Sequence, residues 1–158
     1  GGGAVKFVKD YDAAGLKKSI PLVGSGFLTD GTLEAQGASA QGLITALHYG
    51  DNIETPRNTA FRNKFAVTNP DVYALQGYDA AQMLAIGLAT VKGDLSKKDA
   101  LYAAMNKAQI DSPRGKFTLS PQRNPTQGFY VREVKGNYNV VTGIAVKALA
   151  DPGRGCKP

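Results

Sequence analysis

The sequence predicts an α/β fold, and three observations support that prediction. Near the N-terminus two amphipathic segments alternate with two short apolar runs, which is the alternation that builds parallel βαβ units. Three more segments with helical periodicity follow, and residues 114–119 are predicted to form a single strand. Near the C-terminus Phe129–Val134 and Tyr138–Val146 flank Lys135-Gly136-Asn137, a turn sequence typical of an antiparallel hairpin.

The N-terminal elements can be placed along the chain from apolar spacing and from glycine. The first helix is predicted to end at Gly15, a left-handed cap. A buried strand is predicted at Ile20–Val23, a short helix at residues 33–41 and a second strand at residues 42–47. The glycines at residues 1–3 are either the end of a preceding strand or an expression remnant. The apolar stripe of the first helix consists of Ala4, Phe7, Val8 and Tyr11.

The three helices in the middle of the chain each have a predicted cap. Thr55 caps the first, with Pro56 in its first turn. Asn69 is predicted to cap the second and Pro70 to be its first helical residue, because the missing proline N–H has no intrahelical partner at that position. Ser96 is predicted to cap the third helix.

Composition limits the classes of function. The chain has 158 residues, 42% of them hydrophobic, and a formal net charge of +6. Its basic residues are dispersed, so a nucleic-acid interface is not predicted. Arg114 and Arg132 are assigned, with the other basic residues, to a solvated surface. No apolar run approaches the roughly 20 residues that span a bilayer, and the N-terminus lacks a secretory signal pattern.

Catalytic and metal chemistry is limited by the residue inventory. His48 is the single histidine and Cys156 the single cysteine, too few for a zinc site. A triad of Ser25, His48 and Asp51 can be written, but Gly24-Ser25-Gly26 lacks the spacing of a nucleophile elbow. We therefore predict no catalytic residue, no metal and no cofactor, and keep a small-molecule enzyme as a distant alternative. Cys156 is either an exposed tail thiol or one half of a disulfide whose partner lies outside this sequence.

Two places are candidates for ligand contact. Residues 24–27 follow the first strand, at the edge where open α/β sheets bind ligands; the alternative is a plain turn with Phe27 packed inward. Tyr73 lies near the start of a long helix, where free N–H groups and the helix dipole favour an anionic group; the alternative is a core tyrosine. Asp79 is predicted to be solvated or locally hydrogen-bonded, and His48 to be packed or solvent-facing.

Three stretches, taken in order, resemble a known family. They are Gly-Leu-Lys-Lys-Ser-Ile-Pro-Leu-Val-Gly at residues 15–24, Asn-Pro-Asp-Val-Tyr with Gln-Gly-Tyr-Asp-Ala-Ala within residues 69–81, and Ser-Pro-Arg-Gly-Lys-Phe at residues 112–117. Together they resemble the C-terminal part of branched-chain-amino-acid-type solute-binding proteins of ABC importers, the type I periplasmic binding proteins.

The resemblance implies parts of two doubly wound, Rossmann-like lobes that close on a small ligand. Residues 1–50 resemble part of the second lobe, residues 51–125 the returning part of the first lobe, and residues 126–158 the C-terminal return to the second. Turn-rich segments at residues 50–56 and 120–126, found from composition, fall where the hinge crossings of the family are expected.

The resemblance also implies a site and a ligand class. Amino-acid-binding members have an acidic side chain after the first strand, where this chain has Ser25 and Phe27 and where the first acid beyond is Asp30. We therefore expect a small organic acid, with an aromatic carboxylate as a candidate, in preference to an amino acid such as leucine. The implied ligand contacts are Gly2, Gly3, Ser25, Gly26, Phe27 and Tyr73.

The implied partners are the membrane subunits of an ABC permease. The resemblance further implies a missing N-terminal portion of the same protein, or a second copy, as a companion, and a periplasmic location with the signal peptide outside this chain. A ligand-sensing receptor domain with the same fold is the main alternative.

Overall fold

The computed structural model describes residues 1–65 and 69–155. The predicted α/β class with an antiparallel C-terminal hairpin is confirmed. The chain divides into two compact units, one built from residues 1–54 and 128–147, the other from residues 55–127 and the segment that begins at Ala148. Cys156 lies outside the described residues. None of the described helices is long and apolar enough to cross a membrane.

The first unit contains the helix–strand alternation that the sequence predicts. Strands β1 (Val23–Ser25) and β2 (Ile44–Leu47) are parallel, with Val23 opposite Ile44 and Ser25 opposite Ala46. Strand β2 is antiparallel to strand β4 (Pro125–Lys135), with Thr45 opposite Arg132. The elements are helix α1 (Gly2–Ala13), strand β1 (Val23–Ser25), a 3-10 turn (Gly26–Leu28), helix α2 (Leu33–Gln36), a second 3-10 turn (Gly37–Ala40) and strand β2 (Ile44–Leu47).

The hairpin consists of β4 (Pro125–Lys135) and β5 (Tyr138–Leu149), which pair with each other. Gly136 in the turn has φ of 61°, a left-handed conformation that glycine adopts without a steric penalty. Both strands are longer than predicted, and both contribute residues to each of the two units.

The core of the first unit is a cluster of apolar side chains from α1, the second 3-10 turn, the residue before β2 and the end of β4. In α1 the predicted stripe is half correct, because Val8 and Tyr11 are buried while Phe7 is 51% exposed. The buried members of the cluster are Val8, Tyr11, Ala40, Leu43 and Val134.

The second unit consists mainly of helices α3 (Pro56–Asn63), α4 (Val72–Thr90) and α5 (Lys98–Asn106), with the two-residue strand β3 (Thr118–Leu119). β3 pairs with the start of β4 within this unit. Gly87 allows α4 and α5 to approach closely, since a Cβ there would lie 2.8 Å from the Met105 side chain. The three predicted helices are confirmed.

The predicted caps of these helices are only partly correct. Thr55 caps α3 as predicted, because its side chain accepts a hydrogen bond from the Asn58 N–H. Asp71, not Asn69, caps α4, since a carboxylate there reaches two free backbone N–H groups. The residue at the cap position of α5 is Lys97, because the Ser96 hydroxyl donates instead to Asp94 at 2.6 Å.

The predicted strand boundaries differ from those observed. β1 begins at Val23 instead of Ile20, and the helix predicted at residues 33–41 is divided into α2 and a 3-10 turn at Gly37, which has φ of 57°. The strand predicted at residues 114–119 is only β3, because Gly115 has φ of 98° and lies in a turn.

Candidate functional site

The carboxyl ends of β1 and β2 form the candidate site of the first unit. The two strands are parallel and in register, so the chain leaves both at the same edge of the sheet. This edge is where open α/β sheets bind their ligands. We call residues 25–27 and 48–49, which occupy this edge, the strand-end site.

Arg132, on the neighbouring strand β4, connects the two halves of the strand-end site. Its guanidinium, in a residue that is 1% exposed, donates from Nη1 to the Tyr49 carbonyl at 3.0 Å and from Nη2 to the Gly26 carbonyl at 3.2 Å. Nη2 and Nε also donate to the Thr45 hydroxyl, at 3.1 and 3.3 Å. One side chain therefore holds backbone oxygens that follow two different strands.

Asp30 neutralises the buried charge of Arg132. Its Oδ2 lies 2.6 Å from Nη1 of the guanidinium, and the two side chains are 3% and 1% exposed. A buried ion pair is tolerated when the charges are matched and the remaining donors are hydrogen-bonded, as they are here. Asp30 is therefore committed to Arg132 and lies out of contact with solvent.

Gly26 occupies a position that no side chain can enter. A Cβ there would lie 2.4 Å from Nη2 of Arg132 and 2.5 Å from Cβ of Leu47. The Gly26 carbonyl also accepts hydrogen bonds from the Thr29 and Asp30 amides at 3.1 and 3.0 Å. Glycine is thus required because the guanidinium and β2 pack directly against the backbone of this turn.

The other members of the strand-end site differ in exposure. Ser25 is exposed and Phe27 is 44% exposed, so the alternative in which Phe27 packs inward is wrong. His48 was predicted to be packed or solvent-facing, and it is packed. Its ring lies at 81° to the Phe129 ring, with the centroids 6.0 Å apart. The exposed side chains of the strand-end site are therefore those of Ser25 and Phe27. The Arg132 guanidinium, which holds the backbone of the site, is buried.

Gly2 and Gly3 lie in the first turn of α1 and are exposed. Helix α1 begins at Gly2, so neither glycine ends a strand within this chain. Their assignment as ligand contacts remains a prediction.

Tyr73 belongs to the second unit and is 51% exposed, so it is not a core tyrosine. The expectation of free N–H groups around it is wrong, because the Asp71 side chain accepts from the Tyr73 and Ala74 amides, both at 3.0 Å. A carboxylate therefore already occupies the position at the helix terminus where an anionic ligand group was expected. The exposed ring is what Tyr73 offers to a ligand.

A second buried arginine–aspartate pair lies in the second unit. Nε of Arg114 is 3.1 Å from Oδ2 of Asp79, and the Ser112 hydroxyl donates to the same oxygen at 2.8 Å. Burial raises the pKa of Asp79 above its ordinary value, although Ser112 and Arg114 act in the opposite direction. Burial likewise lowers the pKa of Arg114. The prediction of a solvated or locally bonded Asp79 is wrong, since its partners lie beyond α5.

Both residues of this pair line a cavity of about 410 Å³ within the second unit. The remaining wall is mostly apolar and comes from α4, α5 and the segment around β3. Its larger apolar members are Met83, Tyr102, Met105 and Phe117. Among the described residues no group of three or more His, Cys, Asp or Glu side chains could hold a metal ion.

The sequence interpretation missed Arg132 and Arg114 because it assigned all dispersed basic residues to the surface. One signal was available for Arg132, which lies among apolar residues of a predicted strand, between Val131 and Val134. Alternation along a strand does not show which face is buried until the partner strands are known. Asp30 carried no local signal, since its partner is distant in the sequence.

Comparison with known proteins supplies the family. A family model described as "Periplasmic binding protein" matches residues 1–139. The chain belongs to the periplasmic binding protein family. The resemblance to type I solute-binding proteins is thereby confirmed.

The relatives of this periplasmic binding protein chain include proteins with two kinds of named ligand. The "Leu/Ile/Val-binding protein homolog 6" of Brucella abortus (strain 2308) is 33% identical over 135 residues, which cover 81% of this chain and 35% of that protein. A solute-binding protein of an ABC transporter from R. palustris, solved in complex with benzoate, is 49% identical, with a TM-score of 0.94; the match covers 100% of this chain and 44% of that one.

A third relative is a solute-binding protein of an ABC transporter from Rhodopseudomonas palustris HaA2, solved in complex with p-hydroxybenzoic acid. It is 27% identical, with a TM-score of 0.87, and the match covers 98% of this chain and 45% of that one. The chain thus spans less than half the length of these relatives.

Proposed function

We propose that this chain is the C-terminal portion of an extracytoplasmic solute-binding protein of an ABC importer, and that the complete protein captures an aromatic carboxylate of the benzoate type. In this proposal residues 1–50 and 126–158 belong to the second lobe and residues 51–125 to the first. The ligand lies between the lobes, whose closure is read by the permease subunits in the membrane.

The buried ion pair between Asp30 and Arg132 is the observation that supports the ligand class. An amino acid carries an ammonium group, and burying that charge without a counter-charge is costly. Ser25, Gly26 and Phe27 have no acidic side chain, and Asp30, the next acid along the chain, is 3% exposed and paired with Arg132 at 2.6 Å. The strand-end site therefore suits a ligand without an ammonium group.

Two exposed aromatic side chains suit an aromatic ring. Phe27 in the first unit and Tyr73 in the second are 44% and 51% exposed. We propose each of the two rings as a ligand contact, since ring stacking adds to the burial of apolar area. The similarity to the benzoate-bound R. palustris protein, 49% identical over the whole chain, supports the same ligand class.

Calorimetric titration of the full-length protein with benzoate, 4-hydroxybenzoate, leucine and valine tests this proposal. We expect benzoate or 4-hydroxybenzoate to bind about tenfold or more tightly than either amino acid. Tighter binding of leucine or valine would overturn the assigned ligand class and favour the function in the name of the Brucella relative.

Two matched phenylalanine variants test where the ligand binds. Phe27→Ala should weaken benzoate binding about tenfold, because an exposed ring next to the ligand is lost. Phe7→Ala removes a ring of similar exposure, 51%, from the outer face of α1 and should leave the affinity unchanged. Equal effects of the two substitutions would contradict the assignment of Phe27 as a ligand contact.

A further inference from the structure

We infer that Arg132 is a positioning residue for ligand binding: it fixes the backbone of the strand-end site by holding the Gly26 and Tyr49 carbonyls, and through them sets the affinity for the ligand. The effect on affinity rests on the proposed function. The effect on the backbone rests on the first unit alone.

The guanidinium has a shape that fixes two acceptors at once. Nη1 and Nη2 point to different loops, at 3.0 Å from the Tyr49 carbonyl and 3.2 Å from the Gly26 carbonyl. A planar fork holds two acceptors at a set separation, which the point charge of a lysine ammonium cannot do. The distance between the two loops is therefore determined by one rigid group.

The guanidinium is closely packed and has hydrogen-bond partners on several sides. Gly26 packs so closely that a Cβ would lie 2.4 Å from Nη2. Thr45 is paired with Arg132 across β2 and β4. Its hydroxyl accepts hydrogen bonds from both Nε and Nη2 of the guanidinium. Asp30 supplies the counter-charge at 2.6 Å. The guanidinium therefore has a single orientation, and so do the carbonyls that it holds.

The two carbonyls adjoin the other residues of the strand-end site in the chain. Ser25 and Phe27 are the immediate chain neighbours of Gly26, and His48 precedes Tyr49. A shift of either carbonyl redirects the adjacent side chain and the adjacent amide. Loss of the fork should therefore weaken ligand binding without removing any group that touches the ligand.

Two variants on the same strand separate positioning from stability in the full-length protein. Arg132→Lys keeps the positive charge beside Asp30 but removes the fork. Val134, also on β4, is 2% exposed and belongs to the core cluster. Val134→Ala removes apolar volume from that cluster and leaves the hydrogen bonds to the Gly26 and Tyr49 carbonyls in place. Both variants should lower the thermal midpoint. If the role of Arg132 were purely structural, both variants would therefore change the benzoate affinity in the same way.

The measurements are benzoate affinity by calorimetry and amide hydrogen exchange by mass spectrometry. We expect Arg132→Lys to weaken benzoate binding about tenfold. It should also speed exchange at the Thr29 and Asp30 amides, which donate to the Gly26 carbonyl. The same is expected at the Asp51 amide, which lies two residues after Tyr49 and donates to the Asn139 carbonyl. Val134→Ala should change neither by a comparable factor.

Each outcome decides one of the two claims. If exchange at these amides is no faster in Arg132→Lys than in Val134→Ala, the positioning role is overturned whatever the ligand results. If exchange is faster but the loss of benzoate affinity is equal in both variants, the link to affinity is overturned. If the unaltered protein does not bind benzoate, the proposed function fails, and exchange alone decides whether Arg132 positions the backbone.

Discussion

A buried arginine–aspartate pair lies in each of the two units, and the pairs differ in what else the arginine holds. In the first unit Arg132 pairs with Asp30 and donates to two backbone carbonyls at the edge of a sheet. In the second unit Arg114 pairs with Asp79, donates to the Gln127 side chain, and lies 4.1 Å from the centroid of the Phe117 ring.

The two buried ion pairs have different structural roles. Asp79 lies on α4, whereas Ser112 and Arg114 follow α5, so the second pair anchors a helix to a later segment. The first pair instead sets the position of main chain at the candidate site. A buried ion pair is weak evidence for stability as such, and its further partners indicate what it does.

The largest expected effect comes from removing each arginine. Arg132→Met removes the counter-charge of the buried Asp30 carboxylate, so we expect a loss of about 3–5 kcal/mol in the free energy of unfolding. Arg114→Met should cost less, about 1–3 kcal/mol, because Asp79 has a pKa already raised by burial and can take up a proton. Urea unfolding of both variants checks the order, and a larger loss for Arg114→Met would contradict the comparison.

An intermediate effect is expected from placing a methyl group at one close approach in each unit. Gly26→Ala puts a Cβ 2.4 Å from Arg132 and 2.5 Å from Cβ of Leu47, neither of which can move freely. Gly87→Ala meets the flexible side chains of Met105 and Leu101 at 2.8 and 2.9 Å. We expect Gly26→Ala to cost about 1–3 kcal/mol and Gly87→Ala to cost clearly less.

Denaturant midpoints of the two alanine variants, measured at one pH, provide the check. The helical position of Gly87 reduces its cost further, because alanine is the better helix former. Equal destabilisation would indicate that the turn at Gly26 can relax, and would weaken the case for a rigid strand-end site.

The smallest expected effect is a pH dependence of the second pair. Because burial raises the pKa of Asp79 in the folded state, the folded protein keeps that proton at pH values where the unfolded chain has lost it. Its contribution to stability is therefore full below the ordinary aspartate pKa of about 3.9 and is lost as pH rises through the raised value.

The difference in thermal midpoint between the unaltered protein and Asp79→Asn isolates this contribution. We expect the unaltered protein to lose stability relative to the variant as pH rises from about 4, and then to reach a plateau. The absence of this loss above about pH 4, together with a relative gain as pH rises towards about 4 from below, would indicate that Ser112 and Arg114 outweigh burial and hold the pKa of Asp79 below its ordinary value.

Much of the fold follows from local patterns in the sequence. The alternation of helices and strands, the Thr55 cap and the glycine turn of the hairpin depend on neighbours within a few residues, and each was predicted correctly. The cap of α4 was predicted two residues early, because Asn69 and Asp71 are both good capping residues and local rules do not choose between them.

The candidate site was predictable only in part. The segment after β1 could be found from its position at the end of a strand, and Ser25, Gly26 and Phe27 do lie at the carboxyl edge of the sheet. Arg132 could not be assigned to that edge, because its role depends on the pairing of β2 with β4, which brings together residues far apart in the chain.

By itself the sequence determined the α/β class, the succession of elements, the family and the absence of an acid within Ser25–Phe27, because these depend on residue type and local spacing. The tertiary structure alone decided which charges are buried and what they hold. Burial of a guanidinium requires a carboxylate and several oxygens to converge on it, and such convergence is a property of strand pairing and packing. Asp30 is unavailable to a ligand for that reason.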